Sequence, residues 1–224
     1  MKSAPAQMVV VLWIFLLASC GSSSNTGTTS TAAAADAPVI VRPGAPGTPS
    51  KVVSAAEAAN TSKVQFTDAD VQFMQGMIHH HAQALDMTAL VPDHSNRDNM
   101  KKLALRIRLS QEDEIGMMQK WLAVRGKDAP SVHAHHMAGA TLMPGMLSAA
   151  EMERLAKAKG PDFDRLFLEG MIKHHGGALT MVRDLLSTPG AAQASDIFAF
   201  TAEILADQQA EIDRMGSMLK EQMK

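Results

Sequence analysis

Residues 73–87 read FMQGMIHHHAQALDM, and residues 167–181 read FLEGMIKHHGGALTM. At an offset of 94, the Phe, Gly, Met, Ile, His-His, Ala, Leu and Met all recur. A second match follows each copy at an offset of 97. Ile107, Ser110, Gln111, Glu114, Ile115 and Met118 face Ile204, Asp207, Gln208, Glu211, Ile212 and Met215. Two segments repeated in the same order predict one helical hairpin made twice, and two hairpins give an all-α four-helix bundle.

Helix-end signals divide the chain the same way. Thr67 with Asp70 reads as a capping box and Phe66 with Val71 as a hydrophobic staple. Pro92 is expected to end the first helix, Ser95 with Asp98 to start the second, and Gly126 to stop it. Ser148 with Glu151 opens a short connecting helix that stops at Gly160-Pro161. The third long helix then runs to about Ser187 and the fourth from about Ala191. The bundle is expected over residues 64–222, with hairpins at about 67–126 and 161–222 and a connector at 127–160.

At roughly 100° per residue, placing His81 at the centre of a helix face gathers Met74, Met77, Ile78, Ala84, Leu85 and Thr88 around it. His79 then points away, and its counterpart in the second copy is Lys173, a residue that seeks water. His175 is central to the second copy, beside Leu168, Met171, Ala178, Leu179 and Val182. His81 and His175 are expected to face inward, with His80 and His174 on the flank near Met87 and Met181. The partner helices carry Gln111 and Glu114, then Gln208 and Glu211, inside their apolar stripes. A carboxylate on a core face is costly unless it is paired or ligates a metal. Inward His and Glu groups are therefore expected to satisfy one another, either as a structural polar core or around a metal.

The connector carries His133, His135, His136 and Met137, then Met143-Pro144-Gly145-Met146. Clustered His and Met in a Gly/Pro-containing segment read as a secondary metal site. Thioether and imidazole together select Cu(I), whereas zinc favours Cys, His and carboxylate.

The first residues read as an address. Lys2, an apolar run from Met8 to Leu17 and Leu17-Ala18-Ser19-Cys20 have the order of an export signal over residues 1–19, too short to span a bilayer comfortably. Cys20, the sole cysteine of the 224 residues, stands where a lipobox places its acylated residue. Fifteen of the 17 methionines lie beyond this segment, so sulfur ligands in the mature chain would be thioethers. Residues 20–63, rich in Ser, Thr, Ala, Pro and Gly, are expected to be a flexible tether spanning roughly 35 Å. The formal net charge is −2 and no long basic block exists, which leaves nucleic-acid binding without electrostatic support.

GMIHHHAQAL, FLEGMIKHHGGAL, the connector string MPGMLSAAEME and the ending DQQAEIDRM resemble the bacterial domain-of-unknown-function family 305 over roughly residues 64–222. The resemblance implies a ferritin-like bundle, exported or lipid-anchored, with some members copper-binding and linked to copper resistance. It puts copper on Met77, His80, His81, Met171, His174 and His175, with Met118 and Met215 behind them.

The leading expectation is a non-enzymatic, lipid-anchored envelope protein that sequesters copper or passes it to an unidentified protein. Its ligands are drawn from Met74, Met77, His80, His81, Met118, Met171, His174, His175 and Met215. Gln111, Glu114, Gln208 and Glu211 are supporting or carboxylate ligands. No nucleophile–base pair or phosphate loop is visible. A ferritin-like redox enzyme holding two iron or manganese ions on His81, His175, Glu114 and Glu211 is the alternative, although no helix carries the Glu-x-x-His pair of such bundles. A metal-free interaction bundle is a third.

Overall fold

A computed structural model describes residues 39–42, 49–59, 65–131 and 142–222. Four long helices dominate: α2 (Asp68–His94), α3 (Asp98–Ala123), α5 (Gly160–Ser187) and α6 (Ser195–Gln222), with the short α4 (Ala149–Lys157) before α5. The chain is therefore all-α in its main body, two hairpins forming a four-helix bundle. Among the described residues, no helix is long and apolar enough to cross a membrane. Cys20 and residues 1–19 lie outside the described residues, as do His133, His135, His136 and Met137.

The expected caps form where paired side chains are available. Thr67 and Asp70 make a reciprocal capping box at α2, and Ser148 and Glu151 make another at α4. Three boundaries differ from expectation. Pro92 sits inside the last turn of α2, which continues to His94 because the following residues still reach back, Ser95 N–H to the Val91 carbonyl at 3.0 Å. The N-cap of α3 is Arg97 rather than Ser95, whose hydroxyl instead accepts from Arg97 N–H. Helix α6 begins at Ser195, after the Thr188–Ala194 turn.

The stretch read as a tether also carries structure. Strands β1 (Ile40–Arg42) and β2 (Lys51–Val53) pair antiparallel, followed by α1 (Ala55–Ala59). The Ser/Thr/Pro composition hid two short β-branched runs, Val39-Ile40-Val41 and Val52-Val53.

The bundle core consists of two apolar clusters. One holds Val71 to Ile78 of α2, Ile115 to Leu122 of α3, Ala178 to Leu185 of α5 and Ile197 to Ile204 of α6. The other holds Ala84 to Val91, Met100 to Ile107, Phe163 to Met171 and Met215 to Met218 of the same four helices. Between them, every long helix contributes buried polar side chains: His80, His81 and Gln83; Gln111 and Glu114; His174 and His175; Gln208 and Glu211. A polar layer thus crosses the middle of an otherwise apolar bundle.

The seam between α2 and α5 repeats itself. A Cβ at Gly76 would sit 3.5 Å from the Met181 methyl, and one at Gly170 would sit 3.3 Å from the Met87 methyl. Each repeat's glycine thus receives the other repeat's methionine. The pairing of early α2 with late α5, and late α2 with early α5, makes the two helices antiparallel.

Candidate metal centre

His80, His81, His174 and His175 are all fully buried. His80 and His174, expected on the flanks of their helices, face one another there, with ring centroids 3.9 Å apart. His81 lies 6.3 Å from His80, and His175 lies 6.2 Å from His174. The reason is geometric, since the flank of α2 that carries His80 is the face α5 packs against. His79 is half-buried rather than turned fully to water.

Every one of these four buried rings uses Nε2 on an acceptor. His81 Nε2 bonds Glu114 Oε2, and His175 Nε2 bonds Glu211 Oε2 at 2.7 Å. His80 Nε2 donates to the Pro144 carbonyl at 2.9 Å, and His174 Nε2 donates to the His80 carbonyl at 2.8 Å. A carbonyl can only accept, so the proton of His80 and of His174 is on Nε2, and Nδ1 carries a lone pair. The carboxylates favour the same tautomer in His81 and His175. The expected mutual satisfaction of inward His and Glu is what the structure contains. Ser110 Oγ donates to the other oxygen of Glu114 at 3.3 Å, and Arg106 approaches that of Glu211 at 3.4 Å.

The Nδ1 atoms of all four rings are buried without a hydrogen-bond partner among the described residues. Gln111 Oε1 and both polar atoms of the Gln208 amide share that condition. Buried polar atoms are normally satisfied, and a concentration of orphans in one layer calls for something that binds there. At His80 and His174 a proton is not that thing. Burial pushes the His80 imidazole down to about 3, the neighbouring His81 and His175 push the same way, and the Pro144 bond opposes them only in part. Burial also holds His174 well below the ordinary histidine range, with His80, His175 and His81 adding to it. These two rings are neutral lone-pair donors at neutral pH. A neutral imidazole whose far N–H is held by a carboxylate or carbonyl is the usual form of a metal-ligating histidine. The donor set fits a metal ion.

Thioethers flank the layer. Met77 and Met171 lie one turn before His81 and His175, and Met118 and Met215 lie one turn after Glu114 and Glu211. All four are fully buried. Met74 stands two turns from His81 and belongs to a different part of the molecule, lining a cleft with Met117 and Met118. Among the described residues, no three His, Cys, Asp or Glu side chains are grouped as a metal cage. His81, Glu114, His175 and Glu211 form two separate pairs instead of the shared two-ion centre weighed from sequence.

Sequence reading missed the strap laid over this layer. Met143 touches the face of α2 at Gly76, where a Cβ would come within 3.4 Å of its sulfur. Gln83 holds Leu147 from both sides, accepting from its N–H at 2.7 Å and donating to its carbonyl at 2.9 Å. Gly145, at φ +75°, and Gly177 let the strap meet α5 backbone to backbone, a Cβ on Gly177 being only 1.9 Å from the Pro144 carbonyl oxygen. Met146 is buried and Met143 half-buried, so the described part of the expected secondary site packs against the bundle.

The family model for a domain of unknown function, DUF305, matches residues 70–219, two thirds of the chain. This chain belongs to the DUF305 family. A DUF305 fragment from Deinococcus radiodurans is 32% identical, with 70% of this chain and 98% of that one covered at a TM-score of 0.60. A DUF305 protein from Streptomyces coelicolor, assigned as secreted, is 27% identical over 69% of this chain and 93% of its own, also at 0.60. CopM in its Cu(I)-bound form is 27% identical over 70% of this chain and 98% of its own, at 0.55. CopM is also known in Cu(II)-bound and Ag-bound forms. No curated protein matches the DUF305 chain by sequence.

Proposed function

We propose that this DUF305 protein binds copper, chiefly as Cu(I), through its mid-bundle imidazoles and the thioethers beside them. The observation that carries the reading is the set of four buried Nδ1 atoms without a partner among the described residues, each on a ring whose Nε2 is already held by an acceptor. Soft thioether and imidazole donors prefer Cu(I) over harder divalent ions. The likeness to CopM, a protein with Cu(I)-, Cu(II)- and Ag-bound forms, supports the same metal.

In this reading the metal is cargo. His80, His81, His174 and His175 supply nitrogen, and Met77, Met171 and Met215 supply sulfur. Glu114 and Glu211 fix two rings in the ligating tautomer. The Pro144 carbonyl does the same for His80, so the strap takes part in presenting the centre. The Lys2–Cys20 segment and the secreted relative support export, with Cys20 as lipid attachment. Copper sequestration, tolerance or transfer in the cell envelope is the role that follows.

Competition against a Cu(I) chelator tests the assignment. His80→Ala with His174→Ala, and His81→Ala with His175→Ala, are each expected to weaken Cu(I) binding at least tenfold. Wild-type affinity in both double variants would contradict the site.

A further inference from the structure

We infer that the cleft between α2, α3 and α6 is a second and separate site for a soft monovalent cation, Cu(I) or Ag(I), held by the thioethers of Met74, Met117 and Met118. This cleft has a volume of about 230 Å³, and Trp121, Phe200 and Glu203 line it beside the three methionines. Met74 and Met118 are buried in its floor, whereas Met117 is 46% exposed. A packing role does not account for Met117, because a half-exposed apolar side chain gains little from burial. A thioether open to solvent beside two enclosed ones offers an arriving ion a first contact and then a sulfur-rich interior.

The internal repeat serves as a comparison within one molecule. The positions matching Met74, Met117, Met118 and Trp121 in the second copy are Leu168, Arg214, Met215 and Met218. The second hairpin packs its helices with a leucine where Met74 stands and an arginine where Met117 stands. Sulfur at 74 and 117 is thus not required by the hairpin itself, and the sulfur trio belongs to the first copy.

The polar surroundings suit a cation. Asp196 at the cleft is tied to Arg125 at 2.5 Å, and Arg125 stacks on Trp121 with its guanidinium carbon 4.0 Å from the ring centroid. That pairing neutralises the arginine, and Glu203 adds a carboxylate at the edge. The Trp121 indole N–H is buried and finds no acceptor among the described residues, leaving it for a water or halide that enters with the ion. Met74 lies seven residues before His81, about 10 Å along the helix. The cleft and the histidine layer therefore lie at different levels of the bundle, and neither requires the other.

Silver(I), which does not change oxidation state, is the probe. Bound Ag(I) is counted by elemental analysis after desalting, and methyl-labelled methionine NMR reports which sulfurs respond. The full chain is compared with Met74→Leu/Met117→Leu and with His80→Ala/His174→Ala. The cleft variant should lose one Ag(I) equivalent, and the histidine variant should keep the Met74 and Met117 methyl shifts. An unchanged Ag(I) count in the cleft variant, or Met74 and Met117 methyls that do not move on titration, overturns the second site and leaves the histidine layer untouched. A histidine variant with undiminished metal binding, beside a cleft variant that loses an equivalent, overturns the first site alone. Leucine already occupies position 168, so the core variant should fold. If it does not, Met117→Leu alone, on the surface, decides the same question, with Ag(I) binding at the cleft expected to weaken at least tenfold and unchanged binding counting against the site.

Discussion

His80 and His174 hold corresponding places in the two halves of the chain, and their rings meet at the centre of the bundle, 3.9 Å between centroids. Both donate Nε2–H to backbone carbonyls, which carry no full charge to stabilise an imidazolium. Two imidazoles this close and this dry remain neutral, and that state is the basis of the pH behaviour.

In the metal-free protein the folded-state value of His80 lies at about 3, below an unfolded value near 6.5, and His174 is shifted the same way. The unfolded chain therefore takes up protons that the folded chain refuses. The contribution of His80 is complete above about pH 6.5 and falls as pH drops toward 3, by up to about 1.4 kcal/mol per pH unit, and His174 adds a loss of the same sign. Urea melts at pH 7.5, 6.0 and 5.0 should show this decline. An apo protein equally stable at all three would mean the rings are charged or exposed.

Gly176 and Gly177 are neighbours with opposite expectations. A Cβ at Gly176 meets nothing within 4 Å, while one at Gly177 lands on the Pro144 backbone. Gly176→Ala should leave stability unchanged or raise it by about 0.5–1 kcal/mol, through lower chain entropy in a helix. Gly177→Ala should cost about 1–3 kcal/mol and lift the strap, since backbone cannot move aside cheaply. Thermal unfolding of the pair checks both, and the His80 ring resonances in Gly177→Ala should report loss of the Pro144 bond.

Glu114→Ala removes the acceptor of a fully buried ring N–H, which costs about 1–3 kcal/mol. Glu114→Gln keeps an oxygen there and should recover most of that stability. If Glu114 orients a copper ligand, the alanine variant should also bind Cu(I) some tenfold to a hundredfold more weakly. Denaturation and chelator competition on the two variants separate the effects.

Asp70 holds two distant turns together. It accepts from Thr67 N–H at 2.7 Å and from Ala192 N–H, 122 residues away, also at 2.7 Å. Ala192 has φ +52°, a backbone setting that a non-glycine residue keeps only when its surroundings fix it. Asp70→Ala should cost about 3 kcal/mol by combining loss of a cap with an unsatisfied buried donor. Chemical denaturation measures it, and Asp70→Asn should retain part of the loss.

Much of this architecture is legible in the sequence. The doubled motif discloses two hairpins, and the polar residues inside the apolar stripes disclose that inward His and Glu satisfy one another, the structure pairing them as His81–Glu114 and His175–Glu211. The contact between His80 and His174 is not legible, because a helical wheel places a residue around its own axis and does not say which flank a third helix will cover. The strap is equally hidden: its hold depends on the Pro144 carbonyl and the Leu147 backbone, groups that carry no side-chain signature. The division of the methionines between a central layer and a side cleft depends on height along the bundle, which repeat alignment suggests only for Met77, Met171 and Met215.

The exchange of methionine into glycine notch across α2 and α5 has an ancestral implication. One hairpin carries both the knob and the socket, so a half-length chain already encodes a surface that matches its own copy. Such a chain would assemble by twofold pairing, and joining two copies in tandem would make that partnership permanent while freeing each half to diverge. The sulfur-lined cleft beside Met117, matched by leucine and arginine in the other half, is what such divergence looks like.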